Sequence, residues 1–252
     1  MFGIAKDIRS EVRECTPDLL NQALDSAHVA RVCAEIEDAL EKCRRGEITK
    51  EEYETIKSAL KKKLPIFTFH AMFKNGHRKN GDAIPSGLSI YDLDHIENPR
   101  AKWTSIEPRA KELGIVLSHI SPSLEGLRLV FRRPPLAPPA GGESPANGVM
   151  SLADSQAWMA QQLGDTQYDA CVKDYARCSF AVPREYVLWL DADGLFFDRT
   201  QRHKDTEALD SSSDGVSKPT AATSPLPPSE GGDANGIPLM KGVGGCFIGY
   251  IG

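Results

Sequence analysis

Gly87-Leu88-Ser89-Ile90-Tyr91-Asp92-Leu93-Asp94-His95-Ile96 reads as an apolar strand that ends in two carboxylates. Successive side chains on a strand point to opposite faces, so residues two apart share a face. Asp92 and Asp94 therefore project together, and Leu93 turns back into the core. Two adjacent carboxylates repel each other and are by themselves a cost to the fold. They need a cation between them or ample water. Mg²⁺ is a hard cation that takes carboxylate oxygens and is commonly shared with substrate phosphates. A solvated Asp-x-Asp at a strand end is the other reading of the same residues.

Working outward, Leu64 to Phe73 is a strand candidate rich in aromatic residues. The turn Lys74-Asn75-Gly76-His77-Arg78-Lys79-Asn80-Gly81 follows. Lys74, Arg78 and Lys79 suit a phosphate backbone, and a merely polar hairpin tip suits them equally. Downstream, Trp103 to Leu113 reads as a helix stopped by Gly114, and Ile115 to Ile120 as a strand. Ser121-Pro122-Ser123-Leu124-Glu125-Gly126-Leu127-Arg128 is then a short turn running into another strand. Hydroxyls, free backbone N–H groups and a guanidinium are what a triphosphate needs. A plain hairpin with one exposed arginine would look the same. Residues 133–149 are rich in Pro, Gly and Ala and read as an insertion. Ser151 caps a helix that runs to Leu163 and ends at Gly164. Tyr168-Asp169 follows, with Arg177 eight positions after the aspartate, and Tyr186 to Leu190 is a last strand. The Asp191-Ala192-Asp193-Gly194 repeat of the Asp-x-Asp pattern is read as turn chemistry, because glycine follows it.

Ahead of these strands, residues 17–63 read as helical. Thr16-Pro17 is a start signal, and apolar residues recur from Val29 to Cys43 at helical spacing. Gly46 is a stop, and Thr49 with Glu52 is a capping box opening a second helix, Lys50 to about Lys62. Such a hairpin covers a core. Lys61-Lys62-Lys63 reads as a solvated helix end or as a neighbour of a phosphate backbone.

Composition sets bounds. The chain has 252 residues, 40% hydrophobic and 26% charged, with a net charge of −5. An acidic balance makes no whole-surface case for nucleic acid, so any basic surface is local. No apolar run approaches the roughly 20 residues of a membrane span, and Met1 to Arg9 lacks a signal-peptide core. The six cysteines form no C-x-x-C pair, so reduced thiols and a cytoplasmic location are expected. From about His203 to Asp233 the composition is that of a disordered linker. Ile237 to Gly252 is apolar and Gly-rich. The expected organisation is an N-terminal helical segment over 1–63, a catalytic domain over 64–202, a linker over 203–236 and an unassigned or truncated tail over 237–252.

Asp92-x-Asp94, the Ser-Pro-Ser-x-x-Gly-Leu-Arg turn and Tyr168-Asp169 with Arg177 occur in one order over roughly residues 60 to 200. In that order they resemble the archaeo-eukaryotic primase superfamily, in its BT4734/BF3469-like (VirE N-terminal-type) branch from Bacteroidetes mobile elements. The resemblance implies an α/β fold: a mixed or antiparallel, RRM-like primase-polymerase sheet with flanking helices and the N-terminal helical hairpin. It implies a DNA primase or polymerase-like nucleotidyltransferase that uses Mg²⁺ or Mn²⁺ held by Asp92, Asp94 and Asp169. Ser121, Ser123, Gly126, Arg128 and Arg177 would contact the nucleotide, and Lys74, Arg78 and Lys79 the nucleic acid. The implied partners are nucleoside triphosphates, single-stranded or primed DNA template, and a helicase; no membrane is implied. A catalytically weakened DNA-binding accessory module and a metal-dependent nuclease are the alternatives.

Two residues depart from the branch's pattern. Leu124 stands where the Ser-Pro-Ser-Gly-x-Gly form has its first glycine, and leucine strains at φ > 0. Arg128 stands where the branch has His or Lys. It keeps the charge, but it is larger and does not shuttle protons near neutral pH.

Overall fold

The computed structural model describes residues 1–136, 148–166, 168 and 174–196. In chain order the elements are β1 (Gly3–Ala5), β2 (Arg13–Glu14), α1 (Pro17–Leu24), α2 (Ala27–Arg44), α3 (Lys50–Lys61), β3 (Ile66–Thr68) and β4 (Ala71–Phe73). They continue with β5 (Ala83–Pro85), β6 (Leu88–Asp94), α4 (Pro99–Ile106), β7 (Ile115–Ile120), β8 (Gly126–Arg132), α5 (Leu152–Leu163), β9 (Ser179–Phe180), β10 (Val187–Leu190) and α6 (Ala192–Phe196). The fold is α/β, and the paired strands are antiparallel. One sheet has the order β2-β1-β3-β9, a second β10-β7-β8-β6, and β4-β5 forms a hairpin.

The alternation along β6 decides how the second sheet is covered. Tyr91 and Leu93 join Leu127, Leu129 and Phe131 of β8 in a core with Trp103 and Ile106 of α4 and Met159 of α5. Leu88 and Ile90, one residue out of phase, enter a larger core with Val130, Leu117, Phe67 of β3 and Val29, Val32 and Ile36 of α2. Helices α4 and α5 thus cover one face. The N-terminal helices and the first sheet cover the other. Asp92 and Asp94 continue that second face past the point where its apolar residues end.

Local chemistry sets the helix ends. Thr16, Ser26 and Ser151 each accept a backbone N–H at a helix start. Thr49 and Glu52 form the full capping box, with hydrogen bonds of 2.7 and 3.1 Å. Gly164 closes α5 at φ 64°.

Several expectations are corrected. The helix expected without a break from Pro17 to the stop at Gly46 is two helices, because Ser26 caps a new start after Asp25. The strand expected over 64–73 turns at Phe69–His70, where the Thr68 hydroxyl donates to the Ala71 carbonyl at 2.9 Å. The helix expected over 103–113 begins at Pro99, capped by Asn98. It passes into a 3₁₀ turn at Glu107–Arg109, where Pro108 has no N–H to give. Residues 1–14 supply two strands, and β1 lies between β2 and β3. A Cβ on Gly3 would stand 2.3 Å from Val12 and 2.5 Å from Thr68, so glycine permits this approach. Residues 1–198 form one compact unit, so the helical segment and the strands after it share a body. The insertion at 137–147, the linker and the tail lie outside the described residues.

Candidate functional site

In register, Asp92 of β6 lies opposite Arg128 of β8, and Arg128 lies opposite His119 of β7. One row across three strands is therefore carboxylate, guanidinium, imidazole. In the next row outward Asp94 faces Gly126. Arg128 Nε is 3.0 Å from Asp92 Oδ1, and its Nη1 is 3.0 Å from Asp94 Oδ1. Arg177, just before β9, pairs through Nη2 with the other oxygen of Asp92. The Asp92 side chain is 12% exposed and that of Asp94 58%. Asp92 Oδ1 is buried and has no hydrogen bond. Its contact with Arg128 is one of distance and charge, without an aligned N–H.

The turn between β7 and β8 is drawn tight beside Asp94. Ser121 N–H donates to Gly126 O at 2.8 Å and Leu124 N–H to Ser121 O at 2.9 Å. Ser121 and Ser123 are buried, and their hydroxyls bond each other at 3.1 Å. A Cβ on Gly126 would stand 3.2 Å from Ser121 Oγ and 3.3 Å from Asp94 Oδ1, so this glycine holds the space between turn and carboxylate.

Leu124 sits at φ 62°, the conformation that the missing glycine would have taken freely. Its side chain packs between the main core and the cluster of Ala39, Leu40 and Tyr53. Among the described residues one other non-glycine residue has positive φ: His95, at 58°, directly after Asp94. Strain of this kind, on both sides of the Asp94–Gly126 pair, is a mark of a functional site. Leu124→Gly is expected to change stability by no more than about 1 kcal/mol, since relief of the left-handed conformation offsets lost packing. Leu124→Val keeps the strain and adds β-branching, and should cost about 2 kcal/mol or more in urea unfolding.

Two buried histidines flank the carboxylates, and the sequence reading passed over both. His119 donates from Nδ1 to Ile120 O at 2.9 Å, and its Nε2 faces Ser179 Oγ at 3.4 Å. His70 donates from Nδ1 to Asp174 O at 3.0 Å and accepts Ile90 N–H on Nε2 at 3.1 Å. Burial pushes both imidazoles down to about 4, so they are neutral at pH 7. The available signal for His119 was alternation. It lies two residues before Ser121 and so shares the face that carries the site.

His70 also holds the segment bearing Arg177, and the basic hairpin does the same. Arg78 donates to Ala176 O at 3.2 Å, to Cys178 Sγ at 3.1 Å and to Ile8 O at 2.8 Å. Asn80 Oδ1 accepts Ala176 N–H at 3.2 Å. Arg78 is thus engaged inside the fold, where it steadies the residues on either side of Arg177. Lys74 and Lys79 are exposed at the same tip.

The structure brings together Asp92, Asp94, Arg128, Arg177 and the Ser121–Gly126 turn. Lys74 and Lys79 are not part of that cluster. Asp169 lies outside the described residues. Among the described residues, no group of three or more His, Cys, Asp or Glu side chains is placed to hold a metal ion, and no helix is long and apolar enough to cross a membrane.

The class defined by these features is an α/β module with paired carboxylates and two guanidinium groups at one end of an antiparallel sheet. Residues 59–180, from the end of α3 through β9, match the family model described as BT4734-like, N-terminal domain. That segment, which holds the whole cluster, is similar to BT4734-like N-terminal domains. No curated protein and no solved structure matches the chain.

Proposed function

We propose that this module transfers nucleotides from triphosphates to a DNA strand, as a primase or polymerase-like enzyme of a mobile element. The observation that carries the reading is the placement of Asp92 and Asp94 on one face, with Arg128 and Arg177 against them. Carboxylates alone suit many sites. Carboxylates interleaved with guanidinium groups suit a substrate that brings both phosphate and divalent cations.

The described carboxylates fit such cations. Asp92 Oδ1 is a buried oxygen without a hydrogen bond, and Asp94 Oδ1 faces the same guanidinium. Asp92 and Asp94, with Asp169 as the third carboxylate, would hold Mg²⁺ or Mn²⁺. When bound, two such ions stabilise the attacking and leaving oxygens of an in-line displacement. The chain's own part is charge exchange. Arg128 and Arg177 neutralise the carboxylates in the absence of substrate and turn to phosphate oxygens when it binds. Gly126 keeps the space beside Asp94 open, and the Ser121–Gly126 turn borders it. In this reading the exposed Lys74 and Lys79 would meet a template or primer backbone.

The test is extension of a labelled primer on a DNA template with Mg²⁺ or Mn²⁺. Extension by the wild-type chain is expected. DNA binding without extension would instead favour an accessory module, a reading consistent with two guanidinium groups already neutralising Asp92. Degradation of labelled DNA without triphosphates would favour a nuclease.

A further inference from the structure

The residues around Arg177 are fastened to three neighbours. Arg78 donates from Nη1 to Ala176 O at 3.2 Å and to Cys178 Sγ at 3.1 Å, the residues immediately before and after Arg177. Its Nη2 reaches the other way, to Ile8 O at 2.8 Å. From the same hairpin tip, Asn80 Oδ1 accepts Ala176 N–H at 3.2 Å. Asp174 closes a local turn: its carboxylate accepts Ala176 N–H at 2.7 Å, and its carbonyl accepts Arg177 N–H at 3.3 Å. Beyond Cys178, the Ser179 hydroxyl faces His119 Nε2 at 3.4 Å. The Arg177 guanidinium leaves this frame for Asp92.

The hairpin behind Arg78 is itself anchored. Tyr175, Ala176 and Cys178 pack on the cluster that Ala71 and Phe73 of β4 form with Ala5, Val12 and Ile66. The tip is tied to the residues before β2, where Val12 N–H donates to Gly76 O at 2.8 Å. A Cβ on Gly76 would stand 2.3 Å from the Glu11 side chain, so these two segments are in contact. A guanidinium fork bonded to fixed acceptors on both sides sets the position of the residue that lies between two of them. That residue is Arg177.

Asp92 faces Arg177 with one oxygen and Arg128 with the other. A divalent cation that takes Asp92 competes with both guanidinium groups. How firmly Arg177 is aimed therefore sets how hard it competes.

We infer that Arg78 is a positioning residue. By fixing Ala176 and Cys178 it aims Arg177 at Asp92, which raises the cation concentration that the carboxylates need and readies a guanidinium for phosphate. Asn80 assists it. The inference rests on the nucleotidyl-transfer reading, and it gives Arg78 a part in the substrate site without a contact to substrate.

Mn²⁺ binding to the full chain is followed by water-proton relaxation. Tripolyphosphate binding is followed by calorimetry in saturating Mg²⁺, so that cation occupancy is equal in every variant. Arg177→Met removes the competing charge. It should bind Mn²⁺ about tenfold more tightly and tripolyphosphate about tenfold more weakly. Arg78→Met should move both affinities in those two directions, severalfold each, and should add nothing in an Arg177→Met background. Asn80→Ala, an exposed change, should do the same by about twofold. Asn75→Ala, which loses only a bond to Asp82 at the hairpin tip, should match wild type. A merely structural loss would weaken both ligands together. That result in Arg78→Met, or unchanged affinities in a wild-type chain that binds both ligands, would overturn the inference alone. Should thermal melting show Arg78→Met unfolded, Asn80→Ala decides: opposite shifts support the inference and any other result overturns it. Failure of the wild-type chain to bind Mn²⁺ or tripolyphosphate would sink the nucleotidyl-transfer reading together with the inference.

Discussion

Asp92→Asn and Asp94→Asn are each expected to cut nucleotide incorporation by at least about 100-fold, because each removes a charged ligand from a two-ion site. The two variants should part company in stability. Asp92 is 12% exposed and is the shared counter-charge of Arg128 and Arg177. Losing it removes the counter-charge that both arginines share, at a cost of about 2 kcal/mol. That is less than the 3–5 of a fully buried pair, since both arginines reach solvent. Asp94 is 58% exposed, and its loss should cost less than about 0.5 kcal/mol. Urea unfolding beside primer extension separates the effects. Equal stability of the two variants would remove the electrostatic role given to Asp92. The sequence alone makes both carboxylates a cost to the fold, and the arginines turn Asp92 into a support.

The second large effect is acid destabilisation. Burial holds His70 and His119 down at about 4, from an ordinary 6.5. As pH falls below 6.5 the unfolded chain takes up protons that the folded chain refuses. Stability from these groups is therefore complete above 6.5 and is lost as pH falls toward 4. By pH 5 the loss should reach about 2 kcal/mol for each histidine. The interval from pH 7.5 to 5 isolates them, since ordinary carboxylates titrate below it. His119→Asn, which can still donate to Ile120 O, should remove roughly half of the slope. A flat unfolding free energy across this interval in the wild-type chain would contradict neutral burial of both rings. The same acidification should loosen the segment bearing Arg177, because protonated His70 can no longer accept the Ile90 N–H.

What could be read from sequence follows the range of the forces involved. The capping box at Thr49–Glu52, the Ser151 cap and the alternation along Leu88–Asp94 are local, and each stands in the structure where its residues placed it. The resemblance assigned Arg128 to the nucleotide and Asp92 to a metal; their pairing with each other is sheet register, a long-range fact that no single stretch encodes. The strain at Leu124 was legible because one residue type was missing from a turn that requires it. The strands of residues 1–14 were not legible. Two or three residues carry no periodicity, and their reason for pairing, the room at Gly3, is tertiary. Arg78 illustrates another limit. Its charge reads the same whether it meets a phosphate or, as here, three internal acceptors.

Binding of Mn²⁺ by wild type and by an Asp92→Asn/Asp94→Asn double variant, followed by water-proton relaxation with a triphosphate present, tests the central claim most directly. Saturable binding by wild type, lost in the double variant while the fold persists, is the predicted result. Mn²⁺ binding of the same strength in both proteins would contradict the assignment of these carboxylates as metal ligands.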